Sequence, residues 1–260
     1  MPFRFGWFST GRDEAARQLL QAAWERMQAG FIAGEITFVF CDREHGEAEE
    51  SDLFLDLAAR LGLKTITFSS RRFRPELKEA DHDQWRVAYH QGVMERIAAQ
   101  AYDLLVLAGY MLILSAEMCR RYTMINLHPA LPGGPTGTWE EVIEKLIRER
   151  AETTGAMMHL VTTELDRGPA LTYFSFPIQG NAFAPLWGEA PEEHGPLFQL
   201  IRRQGVRREI PLILLTLKAL AEGRTRIKKG KIVDGAGNEM QALSLTAEVE
   251  RYLLTECKGS

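Results

Sequence analysis

The sequence predicts an α/β protein with a Rossmann-like open, mostly parallel sheet and helices on both faces. Two observations lead to this fold class: short apolar runs alternate with amphipathic runs, and the apolar runs are continuous, as in Leu104–Ala108. Alternating strands and helices indicate a parallel sheet. Strands that are apolar along their whole length indicate a sheet that is covered on both faces.

Strands and helices are expected to alternate along the first half of the chain. Ala15, Leu19, Ala23 and Met27 recur at helical spacing and predict the first helix, and Gly62 is a plausible end of the second. We expect strands at Phe3–Phe8, Ile36–Cys41, Thr65–Phe68 and Leu104–Ala108, and helices at Glu14–Gln28, Asp52–Leu61 and Gln84–Gln100.

The second half of the chain is less regular. A Pro/Gly-rich loop covers residues 128–138, a second loop covers Gln179–Gly195, and Arg224–Val233 is expected to be a hairpin with its turn near Gly230. We expect strands at Thr123–Leu127, Ala156–Val161 and Leu171–Phe176, and helices at Trp139–Arg150, Leu197–Gln204 and Ile210–Leu220, the last started by Pro211.

Composition and charge exclude several classes of protein. The 260 residues carry 31 Lys and Arg against 35 Asp and Glu, and this net charge of −4 argues against a surface that binds nucleic acid throughout. No apolar stretch approaches the roughly 20 residues that span a bilayer, and no secretory signal is recognised at the start. Cys41, Cys119 and Cys257 form no CxxC pair, which favours a reducing compartment and argues against a cysteine-bound zinc site. We expect a cytoplasmic globular protein without a metal.

A basic stretch extends from Arg202 to Lys231, where ten basic residues stand against Glu209 and Glu222. We expect a solvated helix face and hairpin, because runs of charge usually solvate a surface. The alternative is a patch for a phosphate or an RNA backbone.

The first candidate for chemistry is Asn126-Leu-His128-Pro129, where a predicted strand ends. Ligands of open parallel sheets bind at the carboxyl ends of strands, and residues i and i+2 of a strand point to one face. An amide beside an imidazole suits acyl-type chemistry, because the amide can donate to a developing oxyanion and the imidazole can move a proton near neutral pH.

The second candidate is the loop Thr162–Pro169, which follows a predicted strand and contains Asp166. A carboxylate beside His128 would favour the charged imidazolium and orient the ring. His159 lies inside the preceding strand, and we interpret it as a packed, hydrogen-bonded core histidine.

Four motifs in this order resemble the folate-dependent formyltransferases: Val106–Leu114, Asn126-x-His128-Pro129, Thr154-Gly155-x-x-x-His159-x-Val161 and Asp166-x-Gly168-Pro169. Within this family the sequence is closest to the purine-biosynthesis branch. The resemblance implies a formyltransferase fold, with a catalytic core over residues 1–178 and a C-terminal helical and hairpin extension over residues 179–260 that packs on the same domain.

The resemblance implies transfer of a formyl group from the co-substrate 10-formyltetrahydrofolate to a primary amine, first of all glycinamide ribonucleotide. It implies that Asn126 donates to the oxyanion, that His128 stabilises the oxyanion and carries a proton, and that Asp166 keeps His128 charged and helps to relay the amine proton. The implied folate-binding residues are Met111, Leu112, Ile113, Leu114, Thr163 and Glu164.

The part expected to bind the acceptor departs from the family pattern. Where the family has a Gly- and Asn-rich loop that cradles the substrate phosphate at a helix N-terminus, this chain has Ser9, Thr10, Gly11 and Arg12, followed by Asp13 and Glu14. The first four are the expected substrate-binding residues, although the two acids would repel a phosphate there. Leu112 and Val206 stand where the nearest relatives have an arginine and a ribonucleotide-binding glutamate.

Other functions stay open at this point. The acceptor could be an amino-sugar nucleotide or an aminoacyl-tRNA, the formyl group could pass to water as in a 10-formyltetrahydrofolate hydrolase, or the chain could be a non-catalytic folate-binding relative. A dinucleotide-dependent dehydrogenase is disfavoured, because no G-x-G-x-x-G follows Phe8. The oligomeric state is open, with a homodimer as one option, and nucleic acid and membrane partners are not expected.

Overall fold

The computed structural model describes residues 2–180, 182–188 and 194–256. The chain divides into two compact units, residues 1–126 with 160–165 and residues 127–159 with 166–260. These units interleave along the chain, and the predicted core over 1–178 with its extension over 179–260 stays a prediction. Among the described residues, no helix is long and apolar enough to cross a membrane.

The first unit is built on parallel strands. The strands are β1 (Phe3–Ser9), β2 (Gly34–Cys41), β3 (Thr65–Thr67), β4 (Leu104–Leu107) and β5 (Met124–His128), the last two residues of which belong to the second unit. The helices are α1 (Glu14–Gln28), α2 (Glu49–Arg60), α3 (Pro75–Ala80), α4 (His82–Ile97) and α5 (Ala116–Arg121). The strand order is β5-β4-β1-β2-β3, and every pair is parallel.

Both faces of this sheet are buried, as the continuous apolar strands predicted. Side chains of α4 and α5 pack against Phe8, Phe40 and Leu107 on one face. Trp7 and Val39 alternate with these residues, so they point to the opposite face, and both are fully buried. The predicted fold class is confirmed.

Capping side chains determine where two of these helices begin. The carboxylate of Asp13 accepts a hydrogen bond from the backbone N of Ala16 at 2.9 Å, and α1 starts at Glu14 as predicted. Asp81 accepts in the same way from Gln84, and α4 therefore starts two residues earlier than predicted. Helices α3 and α5 were not predicted from the sequence, because six residues are too few to show a hydrophobic period.

The second unit combines antiparallel and parallel strands. Its elements after β5 are α6 (Trp139–Arg148), β6 (Thr153–Leu160), β7 (Ala170–Pro177), α7 (Pro196–Ala221), β8 (Thr225–Lys228), β9 (Lys231–Asp234), β10 (Leu243–Ser244) and α8 (Thr246–Glu256). Strand β7 pairs antiparallel with β6 and parallel with β10. Strands β8 and β9 form the predicted hairpin, in which Lys229 and Gly230 have φ of 52° and 75°, as a tight two-residue turn requires.

Helix α7 corrects the prediction of two helices at Leu197–Gln204 and Ile210–Leu220. It is one helix of 26 residues that continues through Pro211. Proline removes one helical N–H, but Pro211 is buried, and on the next turn Thr216 places its hydroxyl 2.6 Å from that of Thr172 on β7. Tertiary packing therefore outweighs the lost hydrogen bond.

The C-terminal part differs from the sequence prediction in two further respects. Strand β10 and helix α8 were not expected, and the two residues of β10 are too few to show a strand pattern. The predicted loop Gln179–Gly195 contains a short 3₁₀ turn at Ala184–Leu186, and its residues 181 and 189–193 lie outside the described residues.

Candidate active site

The carboxyl end of β5 carries the two residues of the first motif. Asn126 is partly exposed, whereas His128 is 2% exposed. Two strand residues that are separated by one position point to the same side of the strand. The boundary of the two units falls between them, so His128 belongs to the second unit and Asn126 to the first.

Two oxygen atoms hold the imidazole of His128 within the second unit. Its Nε2 lies 2.9 Å from the carbonyl oxygen of Pro135, and its Nδ1 lies 3.5 Å from Oδ2 of Asp166. Carbonyl and carboxylate oxygens can only accept hydrogen bonds, so the ring is the donor toward either of them.

The carboxylate of Asp166 is the centre of a cluster with His128 and His159, which we call the Asp166 cluster. Its side chain is 10% exposed, and its Oδ1 lies 3.6 Å from Nε2 of His159. The backbone N of Gly137 lies 3.5 Å from its Oδ2. Asp166 has a φ of 54°, and such backbone conformations of residues other than glycine are frequent at functional sites.

His159 is the member of the cluster that the sequence analysis did not assign to the site. It is buried as expected, but its ring also lies 6.1 Å from that of His128, with the two planes at 87°. The register of β6 against β7 shifts between Met158 and His159, and such an irregularity leaves no mark in the sequence. Among the described residues, no group of three or more His, Cys, Asp or Glu side chains is arranged to hold a metal ion.

Residues Met111–Leu114, predicted to bind folate, lie in the first unit and alternate in exposure. Met111 and Ile113 are 49% and 50% exposed, whereas Leu112 and Leu114 pack against the hydrophobic core. The segment therefore presents two apolar side chains at the surface of the first unit and is anchored by the other two.

The predicted folate-binding residues Thr163 and Glu164 also belong to the first unit, and both are exposed. The hydroxyl of Thr162 closes this turn by accepting from the backbone N of Glu164 at 3.3 Å. Leu165 follows and is 54% exposed. This turn thus adds a further exposed apolar side chain to the first unit.

Ser9 and Thr10 of the predicted substrate-binding loop are buried, and their hydroxyls bond to the backbone. The Oγ of Ser9 accepts from the backbone N of Gly11 at 3.1 Å, and the Oγ1 of Thr10 accepts from the backbone N of Met111 at 3.0 Å. The two hydroxyls and the backbone N–H of Gly11 are therefore engaged in hydrogen bonds that stabilise the loop.

Arg12 is the remaining charged member of that loop. Its side chain is 47% exposed, and its Nε lies 3.5 Å from the carboxylate of Asp13. The same carboxylate caps α1 through Ala16, so the helix N-terminus already has an anionic partner.

Burial raises the pKa of the neighbouring Cys41 to about 12, which keeps it a neutral thiol.

Acidic residues accompany the basic stretch Arg202–Lys231. At least five of its ten basic residues have an ion-pair partner within the described part of the chain, in the pairs Arg202–Glu209, Arg208–Glu250, Lys218–Glu222, Arg224–Glu248 and Lys231–Glu239. This pairing favours the solvated-surface interpretation over a patch for an RNA backbone.

Comparison with known proteins agrees with the motifs. Residues 14–182, well over half of the chain, match the profile of the family described as "Formyl transferase". The phosphoribosylglycinamide formyltransferase of Schizosaccharomyces pombe is 32% identical over 168 residues, which are 61% of this chain and 77% of that protein.

Solved structures share the fold. Glycinamide ribonucleotide transformylase 1 from Symbiobacterium toebii superposes with a TM-score of 0.67 at 22% identity, over 90% of this chain and 94% of that one. A formyltetrahydrofolate deformylase from Pseudomonas syringae pv. tomato reaches 0.62 at 19% identity, over 90% of this chain and 66% of that one. The resemblance found in the sequence is confirmed, and the chain belongs to the formyl transferase family.

Proposed function

We propose that this protein transfers a formyl group from 10-formyltetrahydrofolate to glycinamide ribonucleotide, in purine biosynthesis and in the cytoplasm. The observation that carries the proposal is the carboxylate of Asp166 between the rings of His128 and His159. The name of the Schizosaccharomyces pombe relative supports the acceptor. Cys41 and Cys119 are free thiols, in keeping with a reducing compartment.

Asn126 and His128 stabilise the charge that develops on the formyl oxygen. When bound, 10-formyltetrahydrofolate supplies a formyl group on nitrogen, and the two side chains donate hydrogen bonds to its oxygen as an amine attacks the carbon. Nε2 of His128 is engaged by the carbonyl of Pro135 at 2.9 Å. The formyl oxygen therefore has to replace that carbonyl as the partner of Nε2.

Asp166 has two tasks in this proposal. Its carboxylate lies 3.5 Å from Nδ1 of His128 and orients the ring toward the oxyanion. It also accepts the proton that the attacking amine loses, directly or through water, and this proton passes to the folate nitrogen as the bond between that nitrogen and the formyl carbon breaks. His159 holds the other carboxylate oxygen, which fixes the orientation of the carboxylate.

We assign donor binding to Met111, Leu112, Ile113, Leu114, Thr163 and Glu164. Large apolar side chains are seldom exposed without a reason when they occur in a group. Met111, Ile113 and Leu165 are three of the six large apolar residues that are exposed in the described part of the chain. A flat ring system such as a pterin suits this apolar surface, with the backbone groups of both segments available for its polar edge.

Acceptor binding is assigned to Ser9, Thr10, Gly11 and Arg12, and Arg12 supplies the charge. A second candidate is a formyltransferase for an amine without a phosphate at this position. It is favoured by the internal hydrogen bonds of Ser9 and Thr10 and by the cap that Asp13 provides.

The decisive experiment follows the change in folate absorbance on deformylation by the purified protein. Glycinamide ribonucleotide, an amino-sugar nucleotide, an aminoacyl-tRNA and a no-amine control are compared at equal concentration. We expect turnover that requires glycinamide ribonucleotide. Turnover with another amine alone identifies the second candidate, and turnover without amine identifies a hydrolase.

A binding-only protein needs a separate readout. Folate-induced thermal stabilisation without turnover of any amine contradicts the proposed activity, because it shows a donor site without catalysis. His45→Gln provides a matched control for histidine variants, since its side chain is 61% exposed and lies outside the Asp166 cluster.

A further inference from the structure

The second unit contains a cavity of about 620 Å³ that none of the residues assigned above lines. It is bordered by Tyr173 and Ser175 of β7, by the hairpin turn at Gly230, and by the segment 239–242 that precedes β10. Pockets for small ligands usually have volumes of about 300 to 1,000 Å³. This cavity is therefore large enough for a ligand of nucleoside size.

Two stretches of chain line this cavity and also carry residues of the Asp166 cluster. Leu131 and Pro132 follow His128 by three and four residues, and Pro169 follows Asp166 by three. A ligand in the cavity would therefore touch both loops that hold the reactive groups.

The turn that starts at Leu131 provides a mechanical connection to His128. The carbonyl of Leu131 accepts from the backbone N of Gly134 at 2.8 Å, and the next residue, Pro135, holds Nε2 of His128. The side chain of Leu131 lies next to the backbone of Gly155. A Cβ added at Gly155 would come within 2.7 Å of Cδ2 of Leu131. Leu131 and the carbonyl that holds the imidazole therefore belong to one hydrogen-bonded turn.

The chemistry of the lining indicates the class of ligand. Only Lys231 and Glu239 are charged, and they pair with each other at 2.6 Å, so no cation remains for a phosphate or a carboxylate. Tyr173 offers an aromatic ring, Met240 a polarizable thioether and Gln241 an amide that can both donate and accept. Such a neutral, partly apolar lining suits an uncharged heteroaromatic ring with polar edges.

We propose that this cavity binds an uncharged heteroaromatic ligand of nucleoside size, and that the ligand shifts the Leu131–Pro135 turn and with it the ring of His128. This site is distinct from the proposed donor and acceptor sites. It stands whether or not glycinamide ribonucleotide is the acceptor.

The test uses adenosine as the probe and ribose as the control without an aromatic ring, with binding to the full chain measured by calorimetry. Ala242→Trp fills the cavity with an indole, and Ala236→Trp adds the same ring at an exposed position outside the lining. We expect saturable binding of adenosine alone, weakened about tenfold or more by Ala242→Trp and unchanged by Ala236→Trp. The proposal is overturned if adenosine does not bind or if ribose binds equally well. It is also overturned if Ala242→Trp leaves the affinity for adenosine unchanged.

A second variant covers the case that Ala242→Trp fails to fold, which its thermal unfolding shows. Tyr173→Leu removes the aromatic ring from the lining and should also weaken adenosine binding. The connection to the site is read from the imidazole resonances of the histidine-labelled protein, in which adenosine should shift His128 and leave the exposed His45 unchanged. An unmoved His128 resonance at saturating adenosine refutes the connection.

Discussion

The two units use their buried polar groups in opposite ways. In the first unit, the hydroxyls of Ser9 and Thr10 accept from backbone amides and thereby hold their own loop. In the second unit, His128 and His159 converge on the single carboxylate of Asp166. A polar group that satisfies the backbone stabilises the fold, whereas titratable groups that face each other are ready for proton transfer. The difference shows that the groups proposed for proton transfer, His128 and Asp166, face each other within one unit, whereas the hydroxyls of the proposed acceptor loop are already used by the backbone of that loop.

The largest effect is expected at the two residues proposed to stabilise the oxyanion, His128 in the second unit and Asn126 at the end of the first. We expect His128→Ala, and likewise Asn126→Ala, to lower kcat by about 100- to 1,000-fold, because each removes a donor to the oxyanion. The measurement is the steady-state rate of formyl transfer, with His45→Gln as the control. Near-normal rates in either variant would contradict the assignment.

A buried histidine of the first unit should instead affect stability. Burial lowers the pKa of His90 to about 4, and its Nδ1 lies 2.9 Å from the carbonyl of Arg86 rather than from a carboxylate. The unfolded chain binds this proton at about pH 6.5, so stability is full above that pH and falls by up to about 3 kcal/mol as the pH drops to 4.

This prediction about His90 is checked by urea unfolding between pH 7 and pH 4. We expect the free energy of unfolding to depend less on pH in His90→Gln than in the wild type, whereas His45→Gln should behave like the wild type. An unchanged pH dependence in His90→Gln would show that the ring is not held neutral.

The carboxylate of Asp166 can be removed without altering its backbone. Asparagine also tolerates the left-handed conformation of this position, so Asp166→Asn should fold and lower kcat by about 100-fold, within the usual range for a proton-transfer group. Asp83→Asn is the matched control, because that side chain is 87% exposed. A rate within threefold of the wild type, which corresponds to about 0.6 kcal/mol, would exclude proton transfer by Asp166.

His159 is expected to act through Asp166 and not on the substrate. His159→Gln should lower kcat by about tenfold with KM unchanged, which corresponds to one hydrogen bond of about 1.4 kcal/mol. It should also displace the pH profile of kcat, a readout that a purely structural residue would not move. If only the thermal stability changes, His159 is a packing residue, as the sequence analysis expected.

The smallest effect is expected at the loop of the first unit. Arg12 is half exposed and close to Asp13, so Arg12→Ala should raise the KM for glycinamide ribonucleotide by about threefold and leave kcat unchanged. Arg60→Ala, on the exposed end of α2, is the control. A rise in the KM of about 100-fold, or 2.7 kcal/mol, would mean that this loop does hold the phosphate. The loop of the first unit would then bind a ligand instead of only stabilising its own backbone.

The elements that the sequence predicted best are those with local signals. Helix α1 has the expected bounds, because a regular apolar face follows a capping aspartate at position 13. Helix α7 was divided at Pro211, because a proline in the sequence indicates a helix start. The helix continues because its residues after Pro211 are buried in the fold and Thr216 is hydrogen-bonded to Thr172 of β7, which are contacts that a local pattern does not show.

The same limit applies to the candidate site. Asn126, His128, His159 and Asp166 all belong to short motifs that are visible in the sequence, whereas the contact between His159 and Asp166 is a tertiary contact that these motifs do not show. The hydrogen bond from the backbone N of Met111 to the hydroxyl of Thr10 joins residues 101 positions apart. No local pattern can predict a contact of that separation.

The sequence by itself determined the fold class, the family and the three residues proposed to carry the chemistry, because hydrophobic period and motif spacing are local properties of the chain. Tertiary structure decided that His159 faces Asp166, that the hydroxyls of Ser9 and Thr10 serve the backbone, and that a neutral cavity adjoins the Leu131–Pro135 turn. Each of these depends on strand register and on contacts between segments that are distant in the chain, and these are fixed only when the apolar faces pack.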